Sequence, residues 1–143
     1  MMPHPDYTST TTVSRNMRCN TVFCKHNAAM ATDTPATIGG QGEFPTPAQY
    51  LTATLASCML SMLAFTGQQK GFDTDGITAE ALCHEDKSGI RAFELTFRVP
   101  HHPTDKVKRL MEAAVRSCPV GNALHPSIGK NITWIYASEN ELN

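Results

Sequence analysis

The chain has 143 residues, 41% of them apolar and 17% charged, with a net charge of -1. That is long enough for one domain, spanning residues 1–143, with a core of its own, and too apolar for a disordered segment. A near-neutral balance gives no electrostatic basis for nucleic acid or an anionic membrane as a partner.

The first residues, Met1-Met-Pro-His-Pro-Asp, lack the basic stretch and apolar run of a secretion signal. Five cysteines, an odd number in a chain of ordinary size, do not resemble a secreted disulfide scaffold. The cytoplasm is therefore the expected compartment, where a disulfide is transient and catalytic rather than structural.

Residues 7–32 are rich in Thr, Val and Phe with polar residues between, which predicts two or three strands with a turn near His26-Asn27. Residues 33–45, with three Gly and two Pro, read as a loop. Thr46-Pro47 reads as an N-cap followed by proline at the first helical position. In the helix that follows, Leu51, Leu55, Cys58, Met62 and Phe65 alternate at spacings of four and three, the seam of a helix packed on another helix. Met59 and Leu63 widen this stripe, so the helix is expected to be central and nearly inaccessible, ending near Gln69 with Gly71 beyond it. Residues 47–69 carry no charge and have the length of a membrane span, but their Thr, Ser and Gln argue for burial in protein.

Residues 77–84 and 90–100 read as a strand pair joined by the polar turn Glu85-Asp-Lys-Ser-Gly89, with Phe93, Leu95, Phe97 and Val99 on the buried face. Thr104-Asp105 caps a second helix whose stripe is Val107, Leu110, Met111, Ala114 and Cys118, and Pro119 predicts an end or kink there. Residues 120–125 allow one further turn, and residues 131–137 form a last strand with Ile132, Trp134 and Tyr136 on one face. Bunched strands, β-β-(β)-α-β-β-α-β, define an α+β fold.

Two thiols stand out because each falls on the inward face of a main helix. Cys58 lies about 16 Å from the start of its helix, too far for the helix dipole to act on it. A reactive thiolate there requires a cation from elsewhere, with arginine as the candidate. Cys118 precedes a proline that opens a new helical turn, which places its sulfur near free backbone N–H groups. Cys19, Cys24 and Cys83 fall on strand segments and read as packing residues. None of the close His and Cys pairs has the spacing of a zinc site, and neither a phosphate-binding glycine loop nor a nucleophile elbow is present, so no metal and no cofactor are expected.

Three segments carry a resemblance. They are Gly39-Gly-Gln-Gly-Glu-Phe-Pro-Thr-Pro47, Gln49-Tyr-Leu-Thr-Ala-Thr-Leu-Ala-Ser-Cys58-Met-Leu, and Ala114-Val-Arg-Ser-Cys118-Pro-Val-Gly-Asn-Ala-Leu124. With Asn16-Met17-Arg18-Cys19 they resemble the OsmC-like family, which includes the organic hydroperoxide resistance proteins, over residues 7–136. The resemblance implies curved antiparallel sheets around two central helices in an intertwined homodimer. It makes Cys58 the peroxidatic thiol and Cys118 the resolving one, with a dithiol reductant of lipoyl type or a small thiol restoring the pair. It also implies that Leu55, Met59 and Met62 form an apolar wall suited to an organic hydroperoxide. In the hydroperoxide resistance branch a glutamate follows the helix-opening proline and holds the activating arginine. This chain has Ala48, then Gln49, at that point. Arg18, favoured over Arg15, is the candidate cation, with Glu43 as a substitute acid from the loop. The alternative is a non-catalytic OsmC-like protein that binds a small apolar ligand at the dimer interface.

Overall fold

A computed structural model describes residues 6–138. The leader reading above falls on residues 1–5, outside the described part. The chain divides into two units, Met1–Tyr50 and Leu51–Asn143.

In the first unit, β1 (Ser9–Val13), β2 (Cys19–Phe23) and β3 (Ala29–Thr32) form an antiparallel sheet in the order β1-β2-β3. This meets the expectation of two or three strands with a turn near His26-Asn27. The loop from Asp33 to Pro45 folds back on itself, Asp33 N–H donating to the Pro45 carbonyl at 3.2 Å. Gly40 is obligatory in that loop, because a Cβ there would lie 1.9 Å from the Thr34 carbonyl oxygen. The loop ends in a reciprocal cap. Thr46 Oγ1 accepts from Gln49 N–H at 3.2 Å, and Gln49 Oε1 accepts from Thr46 N–H at 2.8 Å. The Gln49 side chain is thus committed to starting helix α1 (Pro47–Lys70).

In the second unit, β4 (Thr78–Asp86) and β5 (Gly89–Val99) pair antiparallel through a tighter turn than predicted, with Asp86 opposite Gly89. Helix α2 (Asp105–Arg116) is capped by Thr104 Oγ1, which accepts from Val107 N–H at 3.3 Å. The one-turn helix α3 (Pro119–Ala123) follows, then β6 (Gly129–Tyr136). The sheet order is β4-β5-β6, and β6 runs parallel to β5. This corrects the expectation of wholly antiparallel sheets. The chain crosses over through α2 and α3 between β5 and β6, and a helical crossover is what lets two strands run the same way.

Phe93, Leu95, Phe97 and Val99 are buried as the period-two pattern predicts, in one core with Leu55, Ala56, Met59 and Leu63 of α1 and Met111, Ala114, Val115 and Cys118. The α1 stripe differs from the predicted seam. Its buried line is Thr52, Leu55, Ala56, Met59, Leu63 and Gly67, while Leu51, Cys58 and Met62 lie partly buried beside it and Phe65 is 57% exposed. By length and composition α1 would also suit a bilayer, yet only 33% of its most apolar window is buried within the chain. Helix α1 is therefore not inaccessible in the single subunit. Its apolar residues on all sides hide the period of the side that packs.

Candidate functional site

Two constellations carry chemistry, one in each unit. The first is built on Arg18, which directly precedes β2. Its Nε donates to Asp33 Oδ1 at 2.8 Å and its Nη2 to Asp33 Oδ2 at 2.9 Å, a bidentate pair. Nη2 also donates to Glu43 Oε2 at 2.5 Å, and the guanidinium carbon lies 4.6 Å over the Phe44 ring centroid. Asp33 is 1% exposed, and its Oδ2 further accepts from the N–H groups of Glu43 and Phe44 at 2.9 and 3.0 Å. The loop backbone and the arginine thus converge on one carboxylate.

The Arg18 guanidinium holds the Asp33 carboxyl well below the usual carboxylate range, with the two loop N–H groups adding to the effect against the opposing cost of burial. Reciprocally, Asp33 and then Glu43 push Arg18 further toward its charged form. The usual fate of a strand-edge arginine is a solvated one, and Arg18 departs from it. Arg15 is exposed.

The sequence reading placed Glu43 as a substitute acid, and Glu43 does meet Arg18. The principal partner, Asp33, was missed. An aspartate opening a Gly/Pro-rich loop reads as turn chemistry, and only the fold-back of that loop brings its N–H groups and a β2-edge arginine to the same carboxylate.

The second constellation joins the two predicted thiols. Cys58 sits midway along α1, partly buried against the core, and Cys118 is 1% exposed at the N-cap of α3. Pro119 keeps Cys118 out of helical geometry (φ -58°, ψ 122°), so α2 ends and the side chain turns inward. Cys58 packs against the core in which Cys118 is buried, near enough to act on the Cys118 thiol. Cys118 Sγ also accepts from Gly121 N–H at 3.3 Å.

Burial pushes the Cys118 thiol up and the neighbouring Cys58 adds to this, while the N–H groups of Gly121 and Val120 pull the other way without prevailing. The backbone N–H groups expected near the Cys118 sulfur are present, and desolvation outweighs them. Cys118 is a protonated partner for Cys58 at neutral pH.

Leu55 and Met59 lie wholly in the core, and Met62 is partly buried on the flank. Cys83, on β4, is a partly buried thiol packed against the core; burial pushes its pKa up, while the Thr52 side chain acts the other way. All five cysteines are free. Among the described residues no three His, Cys, Asp or Glu side chains gather as a metal site. A surface cavity of about 210 Å³ lined by Asp6, Tyr7, Thr8, Lys25 and His26 contains none of the predicted site residues.

The molecule is thus an α+β protein with a thiol pair shared between its longest helix and the turn after α2. The family model for OsmC-like proteins matches residues 40–132, and the chain belongs to the OsmC-like family. No functionally curated protein is matched by sequence. Among solved structures, the chain is similar to a protein of Psychrobacter arcticus described as an osmotic stress induced and detoxification response protein (TM-score 0.85, 24% identity, 90% of this chain and 96% of that one). It is also similar to organic hydroperoxide resistance proteins of Legionella pneumophila (TM-score 0.70, 17% identity, 90% and 97%) and Elizabethkingia anophelis (TM-score 0.70, 20% identity, 92% and 97%). At these identities the likeness speaks for the fold alone.

Proposed function

We propose that the protein is a cytoplasmic, homodimeric, thiol-dependent peroxidase that reduces organic hydroperoxides through Cys58 and Cys118. The observation that carries this reading is that Cys58, partly buried, packs against the core in which Cys118 is sealed, near enough to hold the Cys118 thiol in its protonated form. The Cys58 thiolate attacks the O–O bond. Its sulfur takes up the terminal OH as sulfenic acid, and the alkoxide leaves as the alcohol after taking a proton. Cys118 then attacks the sulfenic sulfur, an S–S bond forms and water leaves. A dithiol reductant exchanges with that disulfide and is itself oxidised, returning both thiols.

Arg18 is assigned as the cation that favours the Cys58 thiolate, an assignment that rests on the family resemblance and is supported by its doubly held guanidinium. The exposed flank of α1, on which Phe65 is 57% exposed, supports a second copy of the chain as its cover. Sedimentation at micromolar concentration is expected to give a dimer, and a monodisperse monomer would refute that part.

Intact-mass measurement and peptide mapping after one equivalent of an organic hydroperoxide test the chemistry. The expected product is a loss of two hydrogens located in a Cys58–Cys118 disulfide. An unmodified protein would refute the peroxidase and favour the non-catalytic, ligand-binding reading. Ala48→Glu, which restores the acid of the hydroperoxide resistance branch, is expected to change the alkyl hydroperoxide rate by no more than roughly twofold, because an exposed ion pair adds little to a guanidinium already held by Asp33 and Glu43. A large gain would show that these two carboxylates do not hold Arg18 well enough.

A further inference from the structure

Helix α3 has five residues, too few to hold its own shape, yet its first turn orients the Cys118 sulfur. What holds it comes from β6. Lys130 Nζ donates to the Gly121 carbonyl at 2.8 Å, and Gly121 is the residue whose N–H bonds the Cys118 sulfur at 3.3 Å. The Lys130 stem runs alongside: a Cβ on Gly121 would lie 3.7 Å from Lys130 Cδ, 3.8 Å from Cys118 Sγ and 3.4 Å from Leu55 Cδ1 of α1.

The same lysine also meets the chain before Cys118. Its carbonyl accepts from Arg116 Nη1 at 3.4 Å. Arg116 Nε in turn donates to Glu112 Oε1 at 2.9 Å, and the other oxygen of Glu112 accepts from Trp134 Nε1 at 2.6 Å, two strand residues on from Ile132 of β6. One strand residue therefore ties down both flanks of the Cys118 turn, by backbone on one side and by ammonium on the other.

We infer that Lys130 is a positioning residue for disulfide formation, clamping the Cys118–Gly121 turn so that the Cys118 sulfur stays aligned on Cys58. The inference rests on the peroxidase reading above. Attack of one sulfur on another needs the pair in contact and in line, and a small misplacement is costly in rate. The lysine acts through the turn and does not meet the peroxide, so it governs the second chemical step and not the first.

The test is Lys130→Met, which keeps most of the stem and removes the donor, beside Lys130→Arg, which restores one. In a Cys118→Ala background, which isolates sulfenic acid formation, Lys130→Met is expected to leave the rate of peroxide attack unchanged. With Cys118 present, conversion of the sulfenic acid to the disulfide is expected to slow roughly tenfold or more. The sulfenic acid then becomes trappable by dimedone, and excess hydroperoxide yields sulfinic acid in place of disulfide. Lys130→Arg is expected to recover most of the resolution rate.

A role in folding alone would lower the melting temperature without shifting the balance between disulfide and sulfinic acid. Should Lys130→Met fail to fold, Lys130→Leu, which also lacks a donor, carries the same measurement. A wild-type disulfide with an unchanged resolution rate in the variant that lacks the donor overturns the inference while leaving the peroxidase standing. A wild-type chain that forms no disulfide at all removes both.

Discussion

Cys58→Ser is expected to bring organic hydroperoxide consumption down to the uncatalysed level, while Cys118→Ala consumes about one equivalent per chain and then stops. The asymmetry follows from where the two sulfurs sit. Cys58 is partly buried and within reach of a small molecule at the flank of α1, whereas Cys118 is sealed in the core and held as a protonated thiol by burial and by Cys58. A protonated, enclosed thiol is a poor first nucleophile toward peroxide but a competent partner once a sulfenic acid forms against it. Alanine is preferred to serine at position 118, because a hydroxyl without a good partner in that core costs about 1–3 kcal/mol and would mix a folding defect into the kinetics. Stopped-flow consumption of an alkyl hydroperoxide, followed by mass analysis of the Cys58 peptide, checks both variants. Continued turnover in Cys118→Ala without accumulation of sulfinic acid would mean that an external thiol, not Cys118, resolves the sulfenic acid.

Asp33→Asn is expected to lower both the stability of the protein and the hydroperoxide rate, the latter to the level of Arg18→Met. One carboxylate oxygen of Asp33 meets Arg18 Nη2 and two loop N–H groups while the other meets Arg18 Nε. An amide in its place must turn its NH₂ toward a donor on one side or the other.

The pH dependence carries a definite sign. In the folded protein the Asp33 carboxyl lies below the usual range, and in the unfolded chain it returns to about 3.9. A depressed carboxyl contributes stability that is fully present above the unfolded value and is lost as pH falls toward the folded one. Urea midpoints are therefore expected to differ most between wild type and Asp33→Asn at neutral pH, and to draw together below about pH 4. A gap that stays constant down to strongly acid pH would show that Asp33 contributes by shape and not by charge. Glu43→Gln serves as the contrast. Its side chain is 68% exposed, so its loss is expected to change stability little.

Much of the fold was legible because local rules and tertiary packing agree there. Thr46-Pro47, Thr104 and Pro119 mark the helix boundaries through capping and backbone restriction, which act over a few residues and need no partner. The alternation Phe93, Leu95, Phe97, Val99 names a half-buried strand because side chains on a strand have only two faces to choose between.

Helix α1 shows the limit of that legibility. It is apolar on nearly every side, so the sequence supports several seams equally well, and only tertiary packing selects Thr52, Leu55, Ala56, Met59, Leu63 and Gly67 as the buried line. The direction of β6 was likewise open, since a strand's pattern is the same whichever way its neighbour runs.

The site divides along the same line. The sequence by itself determined the two thiols, because a cysteine on each inward helix face and a proline after the second are local features. Arg18, favoured over Arg15, entered as a candidate cation through the family resemblance. Only the tertiary structure decided that Asp33 holds that arginine, that Cys118 is buried beside Cys58, and that Lys130 ties down the turn between them and β6. Each of these is a meeting of residues distant in the chain, between 9 and 60 positions apart in the cases that matter most. Such meetings are set by the way loops return and strands cross over, information that no window of neighbouring residues contains.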